Sequence, residues 1–297
     1  MPYRIVGIGE VLWDLLPTGA QLGGAPANFA CHAGALGADA SVISRVGDDA
    51  RGHEIVKRIE QMGMTSACVQ LDATRPTGTV TVTVDAMGQP QFEIHSEVAW
   101  DAIEANTAAQ LAVHSADAVC FGSLAQRSTA SGAAIQALVA ASPSAALRIL
   151  DVNLRQDYWT RAVLEQSLTL ANVLKVNDAE LPKMAKLFSL TGDARAQIDQ
   201  LMDRWQLRVV AYTRGESGSL LRTANEWAEH PGVPAAVVDT VGAGDAFTAA
   251  MTIGLLSGWA LDVVNARANQ LASFVASCAG ATPPIPPSIR SQFRSAV

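Results

Sequence analysis

A chain of 297 residues, 49% hydrophobic and 16% charged, carries enough apolar side chain for a full core, which excludes a disordered tail protein. Its formal net charge of −7 argues against a general nucleic-acid binder, which needs a basic surface to neutralise phosphates. The four cysteines, Cys31, Cys68, Cys120 and Cys278, form no C-x-x-C pair, so neither a zinc knuckle nor a redox motif is written, and so few thiols suit a reducing compartment.

The N-terminus enters an apolar run at Ile5 without a signal-peptide layout. Strand-like runs, rich in Val and Ile and bounded by Gly, Asp or Asn, lie at 4–8, 41–46, 118–121, 148–152, 173–176 and 208–212. Helical patterns fall between and after them, at 25–36, 49–62, 129–141, 193–205, 245–256 and 262–276. The strand runs mostly do not alternate, as expected of strands buried on both faces. The spacing therefore predicts an α/β fold, a doubly wound and mostly parallel sheet flanked by helices, in a single domain over 1–297. The uncharged segment 128–147 contains Ser, Thr, Gly, Gln and Pro143, so it reads as a buried helix and its loop, not a membrane span. A cytoplasmic protein with neither membrane nor nucleic acid as partner is expected.

One region breaks the rhythm. Residues 79–84 read Thr-Val-Thr-Val-Thr-Val, a strict period of two. A turn signal with Gly88 and Pro90 follows, then 91–96 with Phe92 and Ile94 on one face. This predicts an antiparallel hairpin inserted into the α/β chain, with Val80, Val82 and Val84 on its apolar face. Residues 11–16 supply a further candidate strand. Ligands bind at the carboxyl ends of parallel strands, so a small β lid formed by about 10–17 and 77–99 would cover such a site.

The strongest chemical signal is Asp239-Thr-Val-Gly-Ala-Gly-Asp-Ala-Phe247, an apolar run followed by glycines and a helical pattern. Gly242 and Gly244 let the backbone turn tightly, and a helix start offers N–H groups without internal partners. Such a place attracts anions, phosphate above all. Asp245 fits it in two ways. It can favour the helix dipole and cap the first turn, or it can act as a general base while the adjacent N–H groups of Gly242, Ala243 and Gly244 hold charge on a transferred phosphoryl group. Asp14 and Asn28 each read as a local cap. Arg155 follows a buried strand, and its fork suits oxyanions or a structural ion pair. Asn177 followed three residues later by Glu180 is also the text of a capping box. Gly7-Ile-Gly9 lacks the third glycine of a dinucleotide fingerprint, since Leu12 stands there. No P-loop text occurs, and the five histidines have no ligand spacing.

The nonapeptide 239–247 resembles the second signature of the ribokinase-like (PfkB) carbohydrate kinases. Gly23-Gly-Ala-Pro-Ala-Asn28, with Ala30, Gly37 and Gly47, resembles the first. The resemblance covers nearly the whole chain, and Gly9-Glu-Val-Leu-Trp-Asp14 is most similar to bacterial fructokinases. It implies an ATP-dependent sugar kinase, with fructose as the foremost acceptor. The alternatives are another sugar or a sugar acid such as 2-keto-3-deoxygluconate, or a sugar-binding sensor without turnover. It implies that Asp14, Gly24, Asn28 and Arg155 bind the acceptor and that Asp245 is the base. Asn177 and Glu180 would order the phosphates and the waters of Mg²⁺. Thr213, Gly215 and Gly218 would form the nucleotide loop, with Asn269 near the adenine. Many members hold a monovalent cation such as K⁺ at the position of Asp239, with backbone near Val241 and Gly280; Pro284 stands where some carry a small hydroxyl residue. The family often pairs lids into homodimers.

Overall fold

The computed structural model describes residues 1–16, 19–84 and 90–293. Strand β1 (Arg4–Ile8) opens the main sheet. The chain then leaves the sheet for a hairpin, β2 (Leu12–Leu16) and β3 (Gly19–Gly23), and returns through helix α1 (Ala25–Ala35) to β4 (Asp39–Gly47). Helix α2 (Ala50–Gln61) leads to the edge strand β5 (Val69–Asp72), and a second excursion forms β6 (Thr79–Val84) and β7 (Pro90–Ile94). Four strand–helix alternations follow: α3 (Thr107–His114), β8 (Ala118–Phe121), α4 (Thr129–Ala141), β9 (Leu147–Asp151), α5 (Arg161–Leu170) and β10 (Val173–Asn177), then α6 (Leu181–Phe188), α7 (Ala194–Trp205) and β11 (Val209–Thr213). Strands β12 (Ser219–Thr223) and β13 (Trp227–His230) turn back antiparallel before α8 (Ala243–Leu256) and α9 (Leu261–Ala276).

The main sheet has nine strands in the order β13-β12-β11-β10-β9-β8-β1-β4-β5, parallel from β11 to β5. Its strands are apolar on both faces, and each face feeds its own core. Ile5, Val42, Ile149 and Val173 pack with Phe29 of α1, Phe247 of α8 and Leu271 of α9. Their chain neighbours Val6, Ile43, Leu150 and Leu174 pack with Ile135 of α4, Leu164 of α5 and Met184 of α6. The continuous apolar runs of the sequence thus hide an alternation between two helical layers. Capping side chains fix several helix starts: Asp49 accepts the Gly52 N–H, Thr160 that of Val163 and Asp193 that of Ala196, each worth about 1 kcal/mol.

The smaller sheet has the order β3-β2-β6-β7, with β2 parallel to β6 and the outer pairs antiparallel. β3 was not expected from the sequence, whose Gly-Ala-Gln-Leu-Gly text carries little strand propensity. Val80 and Ile94 pair across β6 and β7 and are buried against Leu12, Val98 and Trp100, so this part of the hairpin covers its own domain. The turn expected at Gly88 and the faces expected of Val82, Val84 and Phe92 lie outside the described residues. Among the described residues, no helix is long and apolar enough to cross a membrane.

Candidate active site

Asn28, Asp245 and Arg155 lie near one another at the carboxyl ends of β1 and β9, with Asp14 beside Arg155, whereas Thr213, Gly215 and Gly218 follow β11 and Asn269 lies on α9. Helix α8 begins two residues earlier than its pattern predicts, at Ala243, so Asp245 lies within the first turn and not at the cap. The cap is Gly242, left-handed at φ 79°. A Cβ there would sit 2.2 Å from the Ala281 carbonyl oxygen, so only glycine fits the turn. The first amides of α8 are left without helical partners at a place that favours negative charge.

Asn28 is buried on α1, and its Nδ2 donates to Asp245 Oδ2 at 2.9 Å. Burial is the main cause that pushes the Asp245 carboxyl up to about 6; the nearby Asp151 adds to it, while the Asn28 hydrogen bond, Lys175 and Arg155 oppose it. Asp151 ends β9 and accepts from Lys175 Nζ of β10 at 3.1 Å and from Thr248 Oγ1 at 3.0 Å. Asp14, half-buried on β2, is raised to about 6, again mainly by burial, with Arg155 opposing and Asp239 adding. Gly24 is the cap of α1, at the return from the smaller sheet. Arg155 is exposed, on a loop whose Asn153 and Gln156 take left-handed φ values of 41° and 46°. Non-glycine residues seldom adopt that conformation, and such strain concentrates at functional loops.

Asn177 and Glu180 do form a capping box. Asn177 Oδ1 accepts the Glu180 N–H at 2.9 Å, and Glu180 Oε2 accepts the Asn177 N–H at 2.9 Å. Glu180 Oε1 accepts the Leu154 N–H at 3.0 Å, which ties the Arg155 loop to the start of α6. Thr213, Gly215 and Gly218 surround a tight loop closed by an Arg214 N–H bond to the Gly218 carbonyl at 2.7 Å. Asn269 is turned inward: its Nδ2 donates to Ser219 Oγ at 2.7 Å and to Asn265, joining α9 to β12 behind that loop. Asp239 braces the loop before α8, accepting the Val241 N–H at 3.0 Å and the Gly280 N–H at 3.2 Å.

Two residues of the site were not found in the sequence. Lys175 stands mid-strand in an apolar run, where a lone cation had no motif to mark it. Glu10, 2% exposed between Gly9 and Val11, is pushed up to about 7 chiefly by burial, and its Oε2 has no hydrogen-bond partner among the described residues. The signal for both was an ionisable residue inside an otherwise apolar stretch, which needs a partner in the fold. A second cleft, of about 730 Å³, lies on the α4 side between Arg75, Glu97, Arg127 and Tyr158. It holds neither Asp245 nor Asn28, and its Arg127 is already paired with Asp101 at 2.8 Å. Among the described residues, no group of three or more His, Cys, Asp or Glu is arranged to hold a metal ion.

A carboxylate raised toward neutrality at a helix start, where the Ala243 N–H meets only the Thr240 carbonyl at 3.3 Å, can take a proton from a hydroxyl while the leading amides hold anionic charge. That is the equipment of a phosphotransferase with an alcohol group as acceptor. The family model for the pfkB family carbohydrate kinases matches residues 18–288. A fructokinase from Klebsiella pneumoniae is 30% identical over 280 residues, covering 91% of this chain and 90% of that protein. The crystal structure of a sugar kinase from Pyrococcus horikoshii in complex with ATP superposes with a TM-score of 0.80 at 27% identity, covering 94% of each chain. That of a fructokinase with bound ATP from Xylella fastidiosa gives 0.85 at 21% identity, covering 97% of each, and shows the shared fold. The chain belongs to the pfkB family of carbohydrate kinases, phosphotransferases that act on a sugar hydroxyl.

Proposed function

We propose that the chain transfers the γ-phosphoryl group of ATP to a primary hydroxyl of fructose. The observation that carries this reading is Asp245, held by Asn28 in the first turn of a glycine-started helix. In this reading Asp245 takes the hydroxyl proton, and the N–H groups of Gly242, Ala243 and Gly244 stabilise the charge that develops. Asp14, Gly24, Asn28 and Arg155 bind and orient the acceptor. Thr213, Gly215 and Gly218 hold the nucleotide, and we place Asn269 behind that loop as its support. Magnesium suits Glu180 only through water, since both of its oxygens already accept backbone amides. Bound Mg·ATP supplies the phosphoryl group and neutralises its charge; the chain supplies position and electrostatics. A K⁺ ion beside Asp239 would meet a carboxylate already occupied by two amides.

The smaller sheet is the lid in this account. It closes over the acceptor and excludes water, and its open edges at β3 and β7 suit pairing with a second copy in a homodimer. All four cysteines are free thiols, which suits a cytoplasmic location. A second reading, a sugar acid such as 2-keto-3-deoxygluconate as acceptor, is favoured by the exposed guanidinium of Arg155.

An ATP-coupled screen over hexoses, pentoses, sugar acids and nucleosides tests the proposal. Acceptor-dependent ADP release with fructose supports it, and release only with a sugar acid selects the second reading. Asp14→Ala is expected to raise the acceptor KM or lower kcat/KM about tenfold, the worth of one charged hydrogen bond to a hydroxyl. The ATP KM should stay put; a change in ATP kinetics alone would place Asp14 in the wrong half of the site. The base must be ionised to act. The rate is therefore expected to fall as pH drops through about 6, where the Asp245 carboxyl protonates. A profile flat from pH 8 to about 4.5 would remove Asp245 from that role.

A further inference from the structure

A buried ion pair lies directly behind the first turn of α8. Lys175 Nζ pairs with Asp151 Oδ1 at 3.1 Å, and Thr248, on the turn of α8 after Asp245, donates to Asp151 Oδ2 at 3.0 Å. Lys175 and Asp151 are each 5% exposed, and Asp151 lines a small cavity together with Asp245. Gly244 makes the approach possible: a Cβ there would stand 3.1 Å from the Lys175 ammonium. The cation is thus pressed against the backbone that carries Asp245.

Four charged or titratable groups and a neutral thiol surround Asp245. Asp151 approaches from β9, Lys175 from β10, Arg155 from the loop after β9 and Glu10 from the loop after β1, while the Cys120 thiol lies on β8. Two carboxylates this close, one buried and one only partly exposed, resist ionising together unless a cation stands between them. Arg155 is exposed and screened by solvent, so Lys175 is the buried cation of the group. A buried ion pair adds little to stability on its own account, since desolvation offsets the attraction. Its place under a reactive carboxylate gives it another use.

We propose that Lys175 is a positioning residue for Asp245: paired beneath Gly244 with Asp151, which Thr248 also holds, its charge keeps Asp245 ionised and facing the acceptor. The proposal rests on Asp245 being the base, and its test is chosen to separate the two. Lys175 touches no substrate and acts only through its field and its support of the first turn. It balances Asp151, so removing both charges together leaves Asp245 nearly as it is, whereas removing either alone does not.

The experiment is the pH dependence of acceptor kcat/KM for the wild type, Lys175→Met, Asp151→Asn and the double variant. Lys175→Met is expected to move the acid limb up by about one pH unit. Asp151→Asn should move it down, and the double variant should return to within about 0.3 units of the wild type. Above the limb, acceptor KM should change little. A limb that does not move in Asp151→Asn, or a double variant displaced in the same way as Lys175→Met, overturns the proposal. If Lys175→Met fails to fold, Asp151→Asn and the charge-free double variant still decide. Full activity in Asp245→Asn would overturn the base assignment itself; an inactive Asp245→Asn with immobile limbs would overturn the Lys175 role alone.

Discussion

Asp245→Asn is expected to lower kcat by about 10²–10⁴-fold, the usual worth of a general base, and to make the protein more stable at neutral pH. The amide keeps the shape of the carboxylate and can still accept from Asn28 Nδ2, so the first turn of α8 should survive. The stability gain follows from the sign of the shift. Burial raises the Asp245 carboxyl from 3.8 to about 6 in the folded chain. The folded state therefore holds a proton that the unfolded chain has already lost, and stability falls as pH rises from about 4 through about 6. Asn carries no such cost. Partial solvent access trims the effect, which leaves a gain of about 1–3 kcal/mol at pH 8 that fades toward pH 4. Steady-state kinetics and urea unfolding at the two pH values read both halves. Retention of more than about a third of wild-type kcat would sink the base assignment.

Gly242→Ala is expected to cost both rate and stability. An alanine at φ 79° pays for the left-handed region, about 1–2 kcal/mol, before any contact is counted. Its Cβ would then stand 2.2 Å from the Ala281 carbonyl oxygen and 2.7 Å from the Ala281 Cα. Both are backbone atoms and cannot swing aside, so either the 281 segment or the start of α8 must shift. The shift carries the amides of Ala243 and Gly244 with it, and losing one preorganised oxyanion donor costs about 10²–10³ in kcat. The expected result is a lowered melting temperature together with a kcat loss of about a hundredfold or more. A variant with kcat unchanged would show that the α8 amides do not hold the transferring charge.

Much of this was legible because local and global signals agree. The apolar runs that became β1, β8, β9, β10 and β11 were bounded by turn residues, and their lack of alternation told of burial on both faces. The antiparallel strands β12 and β13 are hard to read from the sequence because they are short and mixed in polarity, Ser-Leu-Leu-Arg-Thr and Trp-Ala-Glu-His, with β12 pairing on β11 and β13 on β12. Helix α6 is hard to read from its text because Pro182 looks like a breaker, yet it sits at the permissive first turn. Glycine spacing and an acidic residue marked the start of α8. Nothing local marked Glu10 or Lys175: each is one charge in an apolar stretch, and its partners come from strands and loops far away in the chain. Asn269, which the resemblance places near the adenine, donates through its Nδ2 to Ser219 and Asn265.

The central claim is acceptor-dependent phosphoryl transfer with Asp245 as base. Its most direct measurement is ADP release by the purified wild-type protein with Mg·ATP, with and without fructose, alongside Asp245→Asn and mass spectrometry of the sugar. The account predicts rapid ADP release only when the sugar is present, one phosphoryl group gained per sugar, and loss of both in Asp245→Asn. ADP release at the same rate without any sugar, or fructose phosphorylated equally well by Asp245→Asn, would contradict it.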